Sequence, residues 1–262
     1  MTVSRRLILL FVAFHPSPEE VLKLQGCLDQ LPGDMGYGVA INDCRPGEPA
    51  TQLALGADLY IENDQNLGYG AAVNRLVHAL EELPEFLGIM NTDLSWNSGG
   101  FELLLNWLAQ HPDVVLAVPQ IVDPFGNVQK LCKQDPSLLS LFSRRFLPNW
   151  LKPKWLRRLD ASYTMDDKDY CSVFDVPYLS GCCMIVRQQA FCQVGGFDER
   201  FFLYLEDADI TRLLRGVGRC VHAPLMQVVH AWGRGNHRSL FLTLVNFHSA
   251  WVYFRKWGWR LY

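Results

Sequence analysis

The sequence lacks the features that mark several special classes of protein. No uninterrupted apolar stretch approaches the roughly 20 residues that a membrane-spanning helix needs, so any membrane contact must be peripheral. The formal net charge of −3 gives no indication of nucleic-acid binding, and no internal repeat or low-complexity segment is present. These absences indicate an ordinary folded protein, in which 262 residues at 49% hydrophobic content can form one large core.

The eight cysteines form no recognisable metal-binding or disulfide pattern. None is spaced as a Cys-x-x-Cys pair, and Cys182 and Cys183 are adjacent. Cysteines scattered in this way are typical of a reduced chain that uses the residue as a small apolar group. We therefore expect a cytoplasmic protein without structural disulfides or a zinc site.

The beginning of the sequence superficially resembles a secretion signal. Arg5 and Arg6 precede the apolar stretch Leu7–Phe14. This stretch is short, ends at His15 and Pro16, and is not followed by a small-residue cleavage pattern. We interpret it as the first buried strand.

The first 120 residues alternate between predicted strands and predicted helices. The strands are Leu7–Phe14, Tyr37–Ile41, Leu59–Glu62, Phe86–Met90 and Val114–Val118, and the helices are Ser17–Leu31, Ala71–Leu83 and Gly99–Gln110. This order predicts an α/β fold in which parallel strands are joined by crossover helices. Ligands of such sheets bind beyond the carboxyl ends of the strands, where Asp43 and Asp93 fall.

The alternation stops after Gln120. Residues 121–172 contain several prolines and few clean periods, which indicates a variable insertion with short helices, and 240–262 is predicted to be a helix. Both regions mix aromatic residues with Arg and Lys, namely Trp150, Trp155, Trp251, Tyr253, Trp257 and Trp259 among the aromatics. Such side chains suit a membrane interface, but aromatic residues at helical spacing also suit packing, and the sequence leaves both open.

The most informative stretch runs from Pro177 to Gly216. It contains a predicted buried strand at Cys182–Val186 and then three acids, Glu206, Asp207 and Asp209, at the start of a predicted helix. Acids are ordinary there, because the free amides of a first helical turn favour negative charge. Since these acids follow a strongly apolar segment, however, we expect at least one to lie at the floor of a cleft with raised basicity.

The motifs of this stretch resemble those of a known enzyme family. They are Ser180-Gly181 before the apolar strand, Gly195-Gly196-Phe197-Asp198, Phe202 through Glu206-Asp207 and Asp209, and later His230. The pattern resembles the inverting family 2 glycosyltransferases, in particular bacterial rhamnosyltransferases of surface polysaccharide assembly. The resemblance extends from about Leu7 to Arg238, and its central block is specific.

This resemblance implies a GT-A fold with a Rossmann-like, mostly parallel sheet in a single domain. Residues 1–120 would form the half that binds the nucleotide sugar, 121–172 the insertion, and 173–262 the acceptor and catalytic half. It also implies a nucleoside diphosphate sugar as donor, with dTDP-L-rhamnose favoured, and a saccharide or polyprenyl-linked glycan as acceptor. A lipid-linked acceptor would favour contact with the inner face of the cell membrane.

In similar enzymes the acid pair before the helix supplies the general base. Inversion needs a base on the face of the sugar opposite the leaving nucleotide, close enough to take the proton of the acceptor hydroxyl. We assign this role to Asp207, with Glu206 as the reserve candidate, and expect Asp209 to orient or salt-bridge.

The resemblance also implies a divalent cation, Mg²⁺ or Mn²⁺, at Asp93 and His230. A cation held by carboxylates neutralises the diphosphate of the donor. The family places an Asp-x-Asp motif or a variant with only the last acid here, and Asn91 replaces the first acid. Outside the family context, Asp93 could be a turn residue and His230 a packed histidine.

Other residues are predicted to contact the nucleotide sugar. Asp43 corresponds to the acid that hydrogen-bonds the pyrimidine base of the nucleotide in similar enzymes, although it could simply belong to a turn. Asn66 and Gly68 lie in a glycine-containing loop before a helix, which suits a phosphate or ribose or is a plain helix entry. Arg234 and Arg238 lie in a Gly-rich basic loop that could close on a diphosphate or remain solvated.

The sequence leaves two alternatives to sugar transfer, another enzyme class and a non-catalytic binding module. A sugar-nucleotide pyrophosphorylase would need a glycine-rich loop with a basic residue directly after the first strand, where this chain has His15-Pro16-Ser17-Pro18. A non-catalytic module that binds nucleotide sugars or glycans would tolerate replacement of Asp207.

Overall fold

A computed structural model of the chain describes residues 5–231 and 239–262. The strands are β1 (Leu7–Ala13), β2 (Met35–Asn42), β3 (Leu59–Asn63), β4 (Phe86–Met90), β5 (Leu94–Trp96), β6 (Val114–Val122), β7 (Phe174–Asp175), β8 (Cys183–Arg187) and β9 (Arg219–His230). The helices are α1 (Pro18–Leu28), α2 (Tyr69–Ala79), α3 (Gly100–Gln110), α4 (Leu138–Phe146), α5 (Lys154–Tyr163), α6 (Gln188–Gln193), α7 (Glu206–Leu214) and α8 (Leu240–Trp257), with short 3-10 helices at Pro49–Ala54 and Asn149–Leu151.

These strands form one mixed sheet in the order β3-β2-β1-β4-β8-β6-β9-β5, with β7 paired to β9. The pairs β1–β2, β1–β4, β2–β3 and β6–β9 are parallel. Strand β8 runs antiparallel to both of its neighbours, β4 and β6, and so joins the first four strands to the rest of the sheet. The predicted α/β fold with a mostly parallel central sheet is confirmed.

Strand β1 lies at the centre of the parallel part of the sheet. Leu7, Leu9, Leu10 and Phe11 are all 0% exposed. A strand with helices over both faces needs apolar residues at every position rather than at alternate positions. The continuous apolar stretch therefore predicted this strand correctly.

The ends of two helices differ from the prediction for identifiable reasons. Helix α2 ends at Ala79 and not at Leu83, because Leu80 takes an extended ψ of 124° and its amide bonds to the Val77 carbonyl instead of continuing the helical pattern. Helix α8 ends at Trp257, where Gly258 takes a left-handed φ of 89°. Strand β5 was not predicted, since three residues are too few to show a period.

The segment predicted as an insertion carries α4 and α5, which pack against each other. The Ser143 hydroxyl donates to Asp160 at 2.6 Å, and Lys152 forms a salt bridge with the same carboxylate. Strands from both sides of this segment enter the same sheet. The division of the chain into a donor half, an insertion and an acceptor half stays a prediction.

Helix α2 is joined to the Gly195-Gly196-Phe197 turn by one buried side chain. The Asn74 amide donates to the Phe197 carbonyl at 2.8 Å and accepts from the Phe197 amide at 2.9 Å. Asn74 is 5% exposed, so water cannot replace these bonds. This side chain therefore fixes the turn that leads towards the acids of α7.

We expect Asn74→Ala to lower the free energy of unfolding by about 2–4 kcal/mol, because it leaves a buried amide and a buried carbonyl unpaired. Urea denaturation followed by circular dichroism measures the change. The matched control is Asn106→Ala, which removes an exposed asparagine from the interior of α3 and should be close to neutral. Equal effects of the two substitutions would contradict the role of Asn74.

Candidate active site

The acids of α7 follow two residues with unusual backbone conformations. Tyr204 and Leu205 have φ values of 71° and 65°, in the left-handed region that non-glycine residues seldom occupy. Such residues cost free energy and are found where the surrounding packing holds them, often at functional sites. Here they turn the chain sharply, so that α7 begins at Glu206.

The Asp207 carboxylate is partly exposed and is oriented by three donors. Its Oδ1 accepts from the Tyr178 hydroxyl at 2.9 Å and from the Ala208 amide at 3.0 Å, and its Oδ2 accepts from the Gly181 amide at 3.0 Å. A carboxylate offers about four lone-pair positions, so Oδ2 keeps one for another donor. The site therefore holds this group in a fixed direction with room for one further hydrogen bond.

A cation and a phenol lie behind the Asp207 carboxylate. The Lys133 ammonium is 3.4 Å from the Tyr178 hydroxyl oxygen and 4.4 Å from the centre of its ring. Burial lowers the pKa of Lys133, and the charge of Asp207 opposes this change. Burial, followed by the charge of Asp207, raises the pKa of Tyr178 well above its usual value, so the phenol remains a donor.

Glu206 lies in a different environment from its neighbour. It is 7% exposed, and its buried Oε2 has no hydrogen-bond partner among residues 5–231 and 239–262. Burial, followed by the charge of Asp207, raises the pKa of Glu206 to about 8. Folding therefore favours the protonated form of Glu206, which favours Asp207 over Glu206 as a base.

Asp209, the third acid, forms the salt bridge that the sequence suggested. It is 0% exposed and accepts from Lys256 Nζ at 2.8 Å and from Trp257 Nε1 at 2.7 Å. These contacts attach the end of α8 to α7. Asp209 therefore supports the position of α7 and does not face the open side of Asp207.

Asp93 and His230, predicted as metal ligands, lie together. The Oδ2 atom of Asp93 is 3.2 Å from His230 Nε2, and Leu94 pairs with His230 across β5 and β9. Gln129 Oε1 lies 3.2 Å from the other ring nitrogen of His230 and orients the imidazole. The residues described include no cluster of three or more His, Cys, Asp or Glu that could hold a metal ion.

The donor set nevertheless fits a cation that is shared with a substrate. The buried Oδ1 of Asp93 has no hydrogen-bond partner within the described part of the chain, and a buried carboxylate oxygen needs one. Mg²⁺ is often held by one or two protein ligands, with water and substrate phosphates completing the shell. Asp93 and His230 could therefore hold such an ion, with His230 supplying the ligand that Asn91 does not.

Gly181 and Cys182 connect the segments of chain that carry Asp207 and Asp93. The amide of Gly181 bonds to Asp207, and the carbonyl of Cys182 accepts from the amide of Asn91 at 2.9 Å. Burial raises the pKa of the Cys182 thiol to about 11. A hydrogen bond with Ser180 opposes this change, and the charges of Asp93 and Asp207 add to it. Residues more than a hundred positions apart in the chain thus approach one another here.

Asp43 follows β2 and takes a left-handed φ of 53°. Its carboxylate accepts from Arg45 at 2.5 Å and lies 3.2 Å from His15 Nε2, while His15 Nδ1 lies 2.7 Å from Glu48. The hydrogen bond from Arg45, followed by that from His15, holds the pKa of Asp43 below its usual value. The Asp43 carboxylate is anionic and half-buried beyond the end of β2, and its contact with a nucleobase stays a prediction.

Asn66 and Gly68 form a tight turn before α2. Asn66 Oδ1 accepts from the Gly68 amide at 2.9 Å and from Asn42 at 3.1 Å. Gly68 has a φ of 87°, and a Cβ added there would lie 2.3 Å from the carbonyl oxygen of Phe202. Glycine is required because the turn packs against the segment that leads into Glu206. The proposed contacts of both residues with a donor stay predictions.

Several residues near the site were missed by the sequence analysis. Glu20 accepts a short hydrogen bond from Thr92. Burial raises the pKa of Glu20, the hydrogen bond from Thr92 opposes this change, and the nearby charge of Asp93 adds to it. The sequence placed Glu20 only within the predicted helix Ser17–Leu31, and Lys133 and Tyr178 showed no local signal. The predicted basic residues Arg234 and Arg238 lie outside the described residues.

Three comparisons with known proteins bear on the family. No protein-family model matches the chain. The chain is 34% identical over 207 residues to N-acetylglucosaminyl-diphospho-decaprenol L-rhamnosyltransferase of Mycobacterium tuberculosis, in an alignment that covers 71% of this chain and 66% of that relative. It thus spans slightly less than two thirds of the curated relative that it matches.

The solved structures with a similar fold are glycosyltransferases. GalNAc-T7, in a crystal structure with UDP, GalNAc and Mn²⁺, has a TM-score of 0.62 at 11% identity over 90% of this chain and 46% of that one. The mannosyltransferase PcManGT of Pyrobaculum calidifontis, in complex with GDP-Man and Mn²⁺, has a TM-score of 0.57 at 15% identity over 90% and 59%. The fold of this chain is therefore that of the GT-A glycosyltransferases. Its sequence resemblance to bacterial rhamnosyltransferases is confirmed.

The raised pKa of Glu206 predicts how the stability of this protein depends on pH. Because the folded pKa of about 8 exceeds the ordinary value of 4.5, folding favours the protonated form. The stabilisation is complete below the ordinary value and is lost as the pH rises through the folded value. We expect the free energy of unfolding to fall less steeply between about pH 5 and pH 9 in Glu206→Gln than in the wild type.

Urea denaturation at several pH values measures this difference. The matched control is Glu19→Gln, because Glu19 also lies in the first turn of a helix but is exposed. The control should follow the wild-type curve. Parallel curves for Glu206→Gln and the wild type would show that Glu206 does not hold its proton in the folded state.

Proposed function

We propose that this chain is an inverting glycosyltransferase that moves L-rhamnose from dTDP-L-rhamnose to a saccharide acceptor carried on a polyprenyl diphosphate. The observation that carries the proposal is the fixed, partly exposed Asp207 carboxylate, which keeps a free lone pair beside a protonated Glu206. The choice of rhamnose and of a lipid-linked acceptor is supported by the name of the Mycobacterium tuberculosis relative.

In the proposed reaction the acceptor hydroxyl donates its hydrogen bond to Asp207 Oδ2. As its oxygen attacks the anomeric carbon, the proton passes to the carboxylate and the bond to the nucleoside diphosphate breaks with inversion. Tyr178 and the Gly181 amide hold the carboxylate in place, so little reorganisation is needed when the proton arrives. One carboxylate suffices because no covalent sugar intermediate is formed.

The donor is proposed to bind between the strand ends and the start of α2. Asp43 contacts the base, and Asn66 and Gly68 lie on the nucleotide-sugar side, with Arg234 and Arg238 as further contacts to the diphosphate. Asp93 and His230 hold Mg²⁺ or Mn²⁺. The bound ion supplies positive charge that neutralises the departing diphosphate.

The protein is proposed to act in the cytoplasm, at the inner face of the cell membrane. All eight cysteines are free thiols, which fits a reducing compartment. In the part of the chain that is described, no helix is long and apolar enough to cross a membrane. Access to a lipid-linked acceptor requires contact with the membrane surface.

We expect Asp207→Asn to lower kcat for rhamnose transfer by about 10²–10⁴-fold, because the amide cannot accept the proton. Binding of the donor should be largely kept, since Asp207 faces the acceptor hydroxyl. Radiolabel transfer from dTDP-L-rhamnose measures the first quantity, and calorimetry with dTDP measures the second. The exposed Asp167→Asn is the matched control and should retain full activity.

Two experimental results would support one of the alternative functions instead. A wild-type protein that binds nucleotide sugars without any turnover, across UDP, GDP and dTDP donors and with either metal, is a binding module. Formation of a nucleoside triphosphate from a nucleotide sugar and pyrophosphate would indicate a pyrophosphorylase. Either result would end the assignment of Asp207 as the base of a transferase.

We expect Asp93→Asn to weaken Mn²⁺ binding in the presence of dTDP by roughly tenfold or more, because the cation loses its only carboxylate ligand in the proposed set. Electron paramagnetic resonance of free Mn²⁺ measures the affinity. The exposed Asp64→Asn serves as the control. Full activity in excess chelator would remove Asp93 and His230 from the list of ligands without affecting the role of Asp207.

A further inference from the structure

Helix α8 exposes a continuous apolar stripe. Leu240, Leu244, Phe247 and Trp251 are 83%, 66%, 54% and 48% exposed, and their spacing of four, three and four residues places them on one side of the helix. The opposite side is buried through Ser249, Val252 and Tyr253. A helix that packs on only one side ordinarily carries polar residues on the other. This helix is apolar on both sides.

Helix α4 extends the exposed apolar surface. Phe142 and Phe146 are 53% and 44% exposed, and the Phe146 ring stacks on Phe247 with 5.8 Å between centroids. Between α4 and α8 lies a mostly apolar groove of about 350 Å³. Helix α5 packs against α4, where the Ser143 hydroxyl donates to Asp160 and the Arg144 guanidinium lies over the Tyr163 ring, so the exposed residues of 150–158 adjoin α4. We call the surface formed by α4, α8 and these adjoining residues the α4–α8 face. Its large apolar residues in that last segment are Trp150, Leu151 and Trp155.

The charge of this face has one sign. Residues 138–158 and 240–262 contain nine Lys or Arg and no Asp or Glu, in a chain whose formal net charge is −3. Lys152 and Lys256 are occupied in salt bridges with Asp160 and with Asp198 and Asp209. Arg145 is half-buried and donates to Thr243. The exposed cations are Arg144, Lys154, Arg157, Arg158, Arg255 and Arg260. The occupant of the face must therefore be both apolar and anionic.

A second copy of the chain does not meet this requirement. In a two-fold symmetric dimer each surface meets itself, so the cations of one copy would face those of the other. An anionic phospholipid membrane is both apolar and anionic, because it offers acyl chains to the apolar stripe and phosphates to the surrounding Arg and Lys. Trp and Tyr are also enriched at such interfaces.

The inner side of α8 supports the segment that carries the catalytic acids. The buried Ser249 hydroxyl donates to the Leu203 carbonyl at 2.8 Å. At the beginning of the helix, the exposed Phe241 ring packs edge-on to Phe202, with 6.4 Å between ring centroids. Leu203 lies three residues before Glu206. Contact of the outer side of α8 with a membrane would therefore place the segment containing Asp207 close to the lipid surface.

We propose that the α4–α8 face docks this protein on an anionic phospholipid membrane, with the apolar stripe of α8 inserted among the acyl chains. The docking itself rests on the exposed residues and their charge, and only its purpose, to present a lipid-linked acceptor to Asp207, rests on the proposed function. The docking is reversible and one-sided.

The test is sedimentation of the full chain with vesicles. The wild type should bind vesicles that contain phosphatidylglycerol, bind pure phosphatidylcholine vesicles weakly, and be released by salt. Leu244→Ser with Phe247→Ser, and separately Arg157→Glu with Arg158→Glu, should each reduce the apparent affinity by about tenfold or more. The second pair changes only exposed charges and so guards against a folding defect in the first.

The matched control replaces exposed apolar residues elsewhere. Leu22 and Leu55 are 72% and 76% exposed and lie outside the face, so Leu22→Ser with Leu55→Ser should leave vesicle binding unchanged. All variants should keep the wild-type turnover with a water-soluble, short-chain acceptor. Loss of vesicle binding with turnover intact supports docking, whereas absent turnover with normal vesicle binding counts against the proposed function alone.

Three outcomes overturn the proposal. The first is a wild type that binds neither kind of vesicle. The second is binding only to neutral vesicles doped with a polyprenyl phosphate, which would make the acceptor lipid itself the ligand of the groove. The third is a concentration-dependent dimer, seen by analytical ultracentrifugation, that Leu244→Ser with Phe247→Ser abolishes while vesicle binding is unaffected.

Discussion

The hydrogen bond from the Gly181 amide to Asp207 is the contact on which the arrangement of the site depends. It attaches the first turn of α7 to the residues just before β8. Because β8 lies antiparallel to β4, the neighbouring Cys182 carbonyl accepts from Asn91, which begins the segment that carries Asp93. One short piece of chain thus fixes the positions of a base candidate and a metal-ligand candidate relative to each other.

The two adjacent carboxyls Glu206 and Asp207 differ because of their surroundings and not because of their chemistry. Asp207 receives three hydrogen bonds and remains partly exposed, whereas Glu206 is enclosed with one oxygen unpartnered among the described residues. The left-handed residues Tyr204 and Leu205 set this difference, since they decide which side chain of the first turn points inward. Environments that separate the properties of paired acids are typical of acid–base sites.

The packing that holds this strained turn comes largely from the end of the chain. Phe201, Leu205 and Ala208 form a small apolar cluster with Val252, Tyr253 and Phe254 of α8, and Tyr178 belongs to the same cluster. The sequence left two interpretations of the aromatic tail open, packing and membrane contact. In the structure Tyr253 and Phe254 are buried and therefore pack, while Phe247 and Trp251 are exposed, and membrane contact stays a proposal.

The sequence by itself determined the strands β1 to β4, the position of α7 and the resemblance to rhamnosyltransferases, because long apolar stretches and acid motifs are local properties of the chain. Only the tertiary structure decided that β8 lies antiparallel between β4 and β6, and that Lys133 and Tyr178 stand behind Asp207. The pairing of Asp93 with His230 was expected from the family resemblance, but its geometry was not. Such contacts join residues separated by dozens of positions, and no local period or spacing records them. They arise because burial of the apolar faces selects one register for the sheet, and the polar side chains at its edge then meet as that register dictates.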